Sequence, residues 1–372
     1  MANPIVLPEN SKVPISEFSG IFDNVTTSYK FLFFKGVLEQ LKNNNFNKRT
    51  LRLESIMIDM VVHAWYPSIF FKIFLGKQDQ IAKVLGSFSQ PEVSTLNVSG
   101  VRKHIESEMV RNAAPNLLRH VPYRLLTCFY INELRGISDA RRCDALYKIS
   151  IETFDTKKPL YKFLNKFEIE IHPEWAIYLK ENIKIIEGWL SWNWLNYLQK
   201  LNLNVPNLVE KLSPPAQRKS LKTQSDYWKA VISNSELNCI YSGEKLTLTN
   251  FELDHYLPWS FVAHDNVWNL IPVLADANRS KSDWLPPDKY FNKFVELQHV
   301  GLIHANQNLS KAKWGKLTES FVFDLHIEES ALMDFDCLKK VYSDTMLPLI
   351  SLAKSMGFNS EWDYTKIESR NN

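Results

Sequence analysis

The stretch FELDHYLPWSFVAHDNVWNLIPVLADANRSKSDWLPP, residues 251–287, carries the densest pattern in this 372-residue chain. An Asp254–His255 pair is followed by Asn269 and then Asn278, and an ordinary hydrophobic core has no use for that set. NFELDHYL reads as a strand that stops at Pro258, because proline has no amide hydrogen to give a ladder. WNLIPVL reads as a second strand, and DANRSKSD as the start of a helix capped by Asp276, with Asn278 in its first turn. Strand, loop, strand and helix in that order bring Asp254 and Asn278 toward one point.

Neighbouring side chains on a strand face opposite ways, so Asp254 and His255 have separate tasks. Hydrolysing a phosphodiester near neutral pH needs an activated nucleophile and a cation against the phosphate. An imidazole titrates close to that pH and takes a proton from water, which suits His255 to the first need. The Asp254 carboxylate suits the second, with Asn278 as a neutral oxygen ligand. So few protein ligands leave room for water and phosphate oxygens, as magnesium prefers. Asn269 has both a donor and an acceptor, and is placed to pin the loop backbone or orient the imidazole without touching metal.

The matching residues are Asp254, His255, Pro258, Ser260, Phe261, Asp265, Asn269, Asn278, Arg279, Lys281, Ser282 and Asp283. In them the stretch resembles the HNH nuclease family, the ββα-metal finger, and within it most of all the HNH domain of RNA-guided CRISPR effector nucleases. The resemblance covers roughly residues 236–287, under a fifth of the chain, and does not imply use of a guide RNA. It implies that Asp254 and Asn278 bind one Mg2+ or Mn2+ ion, that His255 is the general base and that Asn269 is the structural asparagine. It further implies a DNA endonuclease in which one finger cuts one strand. Arg279 and Lys281 flank Asn278 and are expected to touch phosphate.

Many members of that family brace the finger with two Cys-x-x-Cys knuckles around zinc. Here NCIYSGEK keeps Cys239 but has Ser242 at the partner position, and a hydroxyl is a poor zinc ligand beside thiolate. No structural zinc is expected, and packing by Trp228, Tyr241, Trp259 and Trp268 takes its place.

The remainder is expected to be mostly helical, giving a mostly α protein with a small α+β finger. The divisions expected are a helical recognition, regulatory or partner-binding region over 1–210, the finger over 225–290 and a helical segment packing on it over 291–372. A proline-interrupted stretch with Pro206, Pro214 and Pro215 marks the boundary before the finger. Residues 1–20, with Pro4, Pro8 and Pro14, read as an extended arm, and Thr27 or Ser28 as a cap for the helix that follows. LYKISIETF and FEIEIH alternate apolar and polar residues, so each reads as a strand. The most apolar window, residues 55–76, contains Asp59, His63, Pro67 and Lys72, which argues for a buried helix broken at Pro67 rather than a membrane span.

The formal charge of +3 is small, so any nucleic-acid surface must be local. Three acid-free basic runs qualify: Lys42, Lys48, Arg49, Arg52; Arg111, Arg119, Arg124; and Lys211, Arg218, Lys219, Lys222. Only the last adjoins the finger, so Arg218, Lys219 and Lys222 are the expected track. Trp189, Trp192 and Trp194 read as core rather than as a base-stacking platform. Four scattered cysteines and no secretory leader fit a reducing cytoplasm. Expected partners are DNA and a protein such as an ATPase or sensor from the same operon, with a role in bacterial anti-phage defence or restriction. The rival readings are an RNA-cleaving toxin and a nucleic-acid-binding or scaffold subunit with a silent finger.

Overall fold

A computed structural model describes residues 6–89, 97–111, 117–215 and 220–365. The chain forms two compact units, residues 1–203 with 208–214, and residues 204–207 with 215–372. It is predominantly helical, with one three-stranded and one two-stranded sheet among the described residues.

In the first unit the helices Tyr29–Asn43 and Leu53–Trp65 pack closely enough to require a glycine. A Cβ on Gly36 would lie 2.9 Å from the Ile56 carbonyl oxygen. The apolar window runs as helix to Trp65 and then opens into a single π turn, Tyr66–Phe70, which accommodates Pro67. Among the described residues no helix is long and apolar enough to cross a membrane. The Tyr29–Asn43 helix is not capped by a side chain. Its Ser28 hydroxyl donates to the Asp79 carboxylate instead. The proline-rich start ends in a short helix, Ile15–Ser19, whose Phe18 is buried against Trp175 and Trp189. Trp189 and Trp194 are buried and Trp192 is 40% exposed, so two of the three tryptophans are core.

The three-stranded sheet has Glu168–Ile171 at its centre, paired antiparallel with Thr50–Arg52 and Tyr161–Phe163. Ile169 and Ile171 face inward, while Glu170 faces Arg49 and Lys162. The other stretch read as a strand, LYKISIETF, is instead the end of a helix, Asp139–Glu152. Leu146 and Ser150 are its buried residues and Ile151 is exposed. The apparent alternation of isoleucines was thus incidental to a buried i, i+4 pair.

The second unit places the finger and the C-terminal helices on one core. The finger consists of strand Phe251–His255, strand Leu270–Leu274 and helix Ala275–Lys281. Helices Lys222–Asn234, Phe291–Asn308, Lys311–Leu325 and Phe335–Ser355 surround it. Trp228, Tyr241 and Trp268 are buried in that core, as is Cys239. Trp259 is half-buried. Gly301 is the close-approach point, since a Cβ there would run into the Tyr227 hydroxyl. Polar side chains on these helices also hold the finger backbone: Gln298 donates to the Leu270 carbonyl (3.0 Å), and Tyr342 to that of Trp268 (3.0 Å).

Candidate active site

The finger strands pair antiparallel, with Asp254 opposite Ile271 and His255 opposite Leu270. Alternation along the first strand sends Glu252 and Asp254 to one side and His255 to the other. The finger helix lies over the Glu252–Asp254 side, because two residues one turn apart on it bond there. Asn278 donates from Nδ2 to Glu252 Oε2 (2.9 Å), and Lys281 donates from Nζ to Asp254 Oδ1 (3.0 Å). That pairing brings Asn278 onto the face that carries Asp254, and its amide oxygen remains available as an acceptor.

Asp254 is buried, and its second oxygen accepts from the Tyr241 hydroxyl at 2.7 Å. Burial and the adjacent carboxylate push the Tyr241 phenol well above its ordinary range, so it stays a neutral donor. Lys281 is wholly buried and also donates to the His255 carbonyl at 2.7 Å. The expectation that Lys281 touches phosphate therefore needs correcting. Its ammonium has no surface and is committed to holding Asp254 and the strand backbone. Asp276 likewise is not the helix cap, since the helix starts at Ala275 with Leu274 in the capping position. The Asp276 carboxylate accepts from the Ala277 amide and from the Tyr364 hydroxyl, and the latter bond contributes most to holding it below the usual carboxylate range.

His255 is about one-tenth exposed, and its Nε2 lies 2.9 Å from Asp265 Oδ1. Asp265 reaches it because the chain reverses at Ala263, whose φ of 53° ends the short helix Trp259–Val262. Gln224 fixes that loop by donating to the Asp265 carbonyl at 3.1 Å. Asn269, fully buried, grips Leu257 twice: its Oδ1 accepts from the Leu257 amide (2.8 Å) and its Nδ2 donates to the Leu257 carbonyl (2.9 Å). It pins the loop backbone two residues beyond His255 and makes no bond to the imidazole among those described.

Arg279 and Lys222 are exposed, whereas Arg218 and Lys219 lie outside the described residues. Lys211, from the same basic run, is buried, and burial pulls its ammonium down to about 7. Three site features escaped the sequence reading: the Tyr241 hydroxyl on Asp254, the Asp265 carboxylate on His255 and the Glu252 carboxylate on Asn278. Asp265 left a signal as one of the positions that match the HNH pattern, and Glu252 as an acid two residues before Asp254 on the same strand face.

Among the described residues no group of three or more His, Cys, Asp or Glu side chains is poised around a metal. The oxygen donors on the helix-covered side of the first strand are the Glu252 and Asp254 carboxylates, with the Asn278 amide oxygen supplied by the helix itself. Each Asp254 carboxylate oxygen has two lone pairs, and Tyr241 and Lys281 engage one on each. The set fits a hard cation that keeps most of its ligands as water and phosphate oxygen. It does not fit zinc, which takes thiolate and imidazole.

Residues 239–287 match the family model described as HNH endonuclease. A stretch of 90 residues is 32% identical to the CRISPR-associated endonuclease Cas9 of Listeria innocua, covering 22% of this chain and 7% of that protein. The chain thus matches only a small part of that relative's length. No solved structure matches. Residues 239–287, which include the finger, are thus similar to HNH endonucleases.

Proposed function

We propose that this HNH segment makes the chain a metal-dependent endonuclease that hydrolyses DNA phosphodiester bonds, one strand at a time. The observation that carries the reading is the His255–Asp265 pair, in which Asp265 holds the imidazole by one nitrogen on the strand that also carries Asp254. In the neutral ring the proton sits on Nε2, where the Asp265 carboxylate accepts it, and the lone pair is on Nδ1. His255 then takes a proton from water at Nδ1, and the Asp265 carboxylate offsets the positive charge the ring acquires. Asp254 and Asn278 would hold Mg2+ or Mn2+, and such an ion would offset charge developing on the phosphate and the leaving oxygen. Tyr241 and Lys281 orient the Asp254 carboxylate, Glu252 orients the Asn278 amide, and Asn269 keeps the loop after His255 in place. Arg279 and Lys222, with Arg218 and Lys219, are positioning contacts to phosphate in this reading. The role that fits such an activity is an effector of bacterial anti-phage defence or restriction acting in the cytoplasm, with a partner from the same operon as its trigger.

The test is supercoiled plasmid incubated with purified protein and Mg2+ or Mn2+, beside His255→Ala and an EDTA control. Conversion to open circle that disappears in both controls is the expected result. Cutting that survives loss of His255 overturns the mechanism, and cleavage of RNA in preference to plasmid overturns the substrate. Inertness of all versions on plasmid, RNA and modified DNA, with the candidate partner present, supports the silent-finger reading instead.

A further inference from the structure

The first unit holds a cavity of about 660 Å³ that neither the finger nor its chemistry accounts for. Two of the basic runs, far apart in sequence, meet there: Arg52 from one, Arg119 from the other. Lys166, at the tip of the hairpin between strands Tyr161–Phe163 and Glu168–Ile171, adds a third cation. The one carboxylate in the lining, Glu54, lies 3.4 Å from Arg52, and both side chains are about two-thirds exposed. Water screens such a pair, so it neutralises little of the field in the cavity. A smaller adjoining cavity of about 260 Å³ shares Arg119 and adds Lys30 and Arg124, the last paired at 2.8 Å with Asp139, an exposed carboxylate outside the lining.

Beside the cations stands Phe167, a phenylalanine 73% exposed on the hairpin tip. Its backbone is fixed at both ends. The amide donates to Asn165 Oδ1 (2.8 Å) and the carbonyl accepts from the Leu53 amide (2.8 Å). The ring is therefore presented rather than loosely tethered. Across the cavity, Tyr123 is backed by Phe163 at 4.6 Å in a stacked arrangement.

We propose that this cavity binds one nucleotide unit of a single-stranded nucleic acid, with the phosphate among Arg52, Arg119 and Lys166 and the base against Phe167. Guanidinium and ammonium groups recognise phosphate, and an exposed aromatic ring offers any base a stacking face. The volume lies within the usual range for a small-molecule or nucleotide site. Arg119 joins the two cavities, so positive charge continues beyond the first phosphate, as a strand requires and a mononucleotide does not. No glycine lines either cavity among the described residues, so neither offers the glycine-rich loop that cradles a free triphosphate.

The experiment uses the full chain carrying His255→Ala in EDTA, so that binding is read without cleavage and stands apart from the nuclease reading. Fluorescence anisotropy follows a labelled twelve-nucleotide strand across a salt series. Arg119→Gln and Lys166→Gln are each expected to weaken binding and to lower the salt slope by roughly 0.7. Phe167→Ser is expected to weaken binding about tenfold with the salt slope unchanged. These side chains are on the surface, and an unchanged unfolding midpoint confirms that the variants fold. Binding by all three equal to the parent overturns the proposal, as does a parent that binds no strand. Loss of ATP or dAMP binding in the variants with strand binding intact assigns the cavity to a free nucleotide and overturns the strand.

Discussion

Removing the Lys281 ammonium tests the central claim about Asp254. Lys281 and Asp254 form an ion pair at 3.0 Å, with side-chain exposures of 0% and 4%. The only other bond to that carboxylate described is the one from the neutral Tyr241 hydroxyl. In Lys281→Met the volume is largely kept, but Asp254 loses its counter-charge and the His255 carbonyl loses a donor at 2.7 Å. Breaking a buried pair from one side costs about 3–5 kcal/mol, because the remaining charge stays in a poorly solvating interior. For a unit of this size that corresponds to a fall in unfolding midpoint of roughly 6–20 °C. The assay is urea or thermal unfolding of Lys281→Met, of Asp254→Asn and of the double variant. With no charge left to bury, the double variant is expected to regain at least half of the loss. A Lys281→Met protein within about 1 kcal/mol of the parent, well short of the cost of an unpaired buried charge, would refute the reasoning. So would a double variant no more stable than Lys281→Met alone. If Lys281 instead served phosphate, salt-dependent binding would change and stability would not.

Asn269→Ala strips both partners from the Leu257 backbone, whose amide and carbonyl are buried; a loss of about 2–4 kcal/mol is expected from equilibrium unfolding, from two orphaned groups. Asp265→Asn leaves the loop intact but removes the carboxylate that favours an Nε2 proton and a charged ring; plasmid nicking is expected to slow by about 100-fold or more with little change in stability, and an undiminished rate would remove Asp265 from the mechanism. His63 is half-buried in the first unit, with its Nε2 enclosed and without a hydrogen-bond partner among the described residues, and desolvation, followed by Lys35, holds it well below the ordinary imidazole range. The unfolded chain therefore binds the proton first: the stability from neutral His63 is complete above about pH 6.5 and is lost as pH falls below it. His63→Leu is expected to flatten the unfolding midpoint between about pH 6.5 and 5, read by differential scanning fluorimetry, and a slope as steep as the parent's would show that other groups govern it.

The finger was legible because its signals are local. The strand Phe251–His255 stops short of Pro258, the strand Leu270–Leu274 is a run of buried apolar residues, and the spacing of Asp254, His255, Asn269 and Asn278 is readable one letter at a time. Regularity of the same kind misled over LYKISIETF, where a short alternating run also satisfied a helical period. Asp276 misled too, because it has the chemistry of a cap and sits one position inside the helix.

The sequence by itself determined which donors and acceptors exist and how strand and helix periods sort them onto faces. It could not determine which of those groups lose their water. Lys281 and Arg279 are two letters apart on one helix, yet only Lys281 faces the strand and is buried, because the finger helix rests on the side shared by Glu252 and Asp254. Arg52, Arg119 and Lys166 belong to three separate segments, and only the tertiary fold gathers them around one cavity. The energy of a charge depends on its solvent and its neighbours, and both are set by packing between segments that no local pattern encodes.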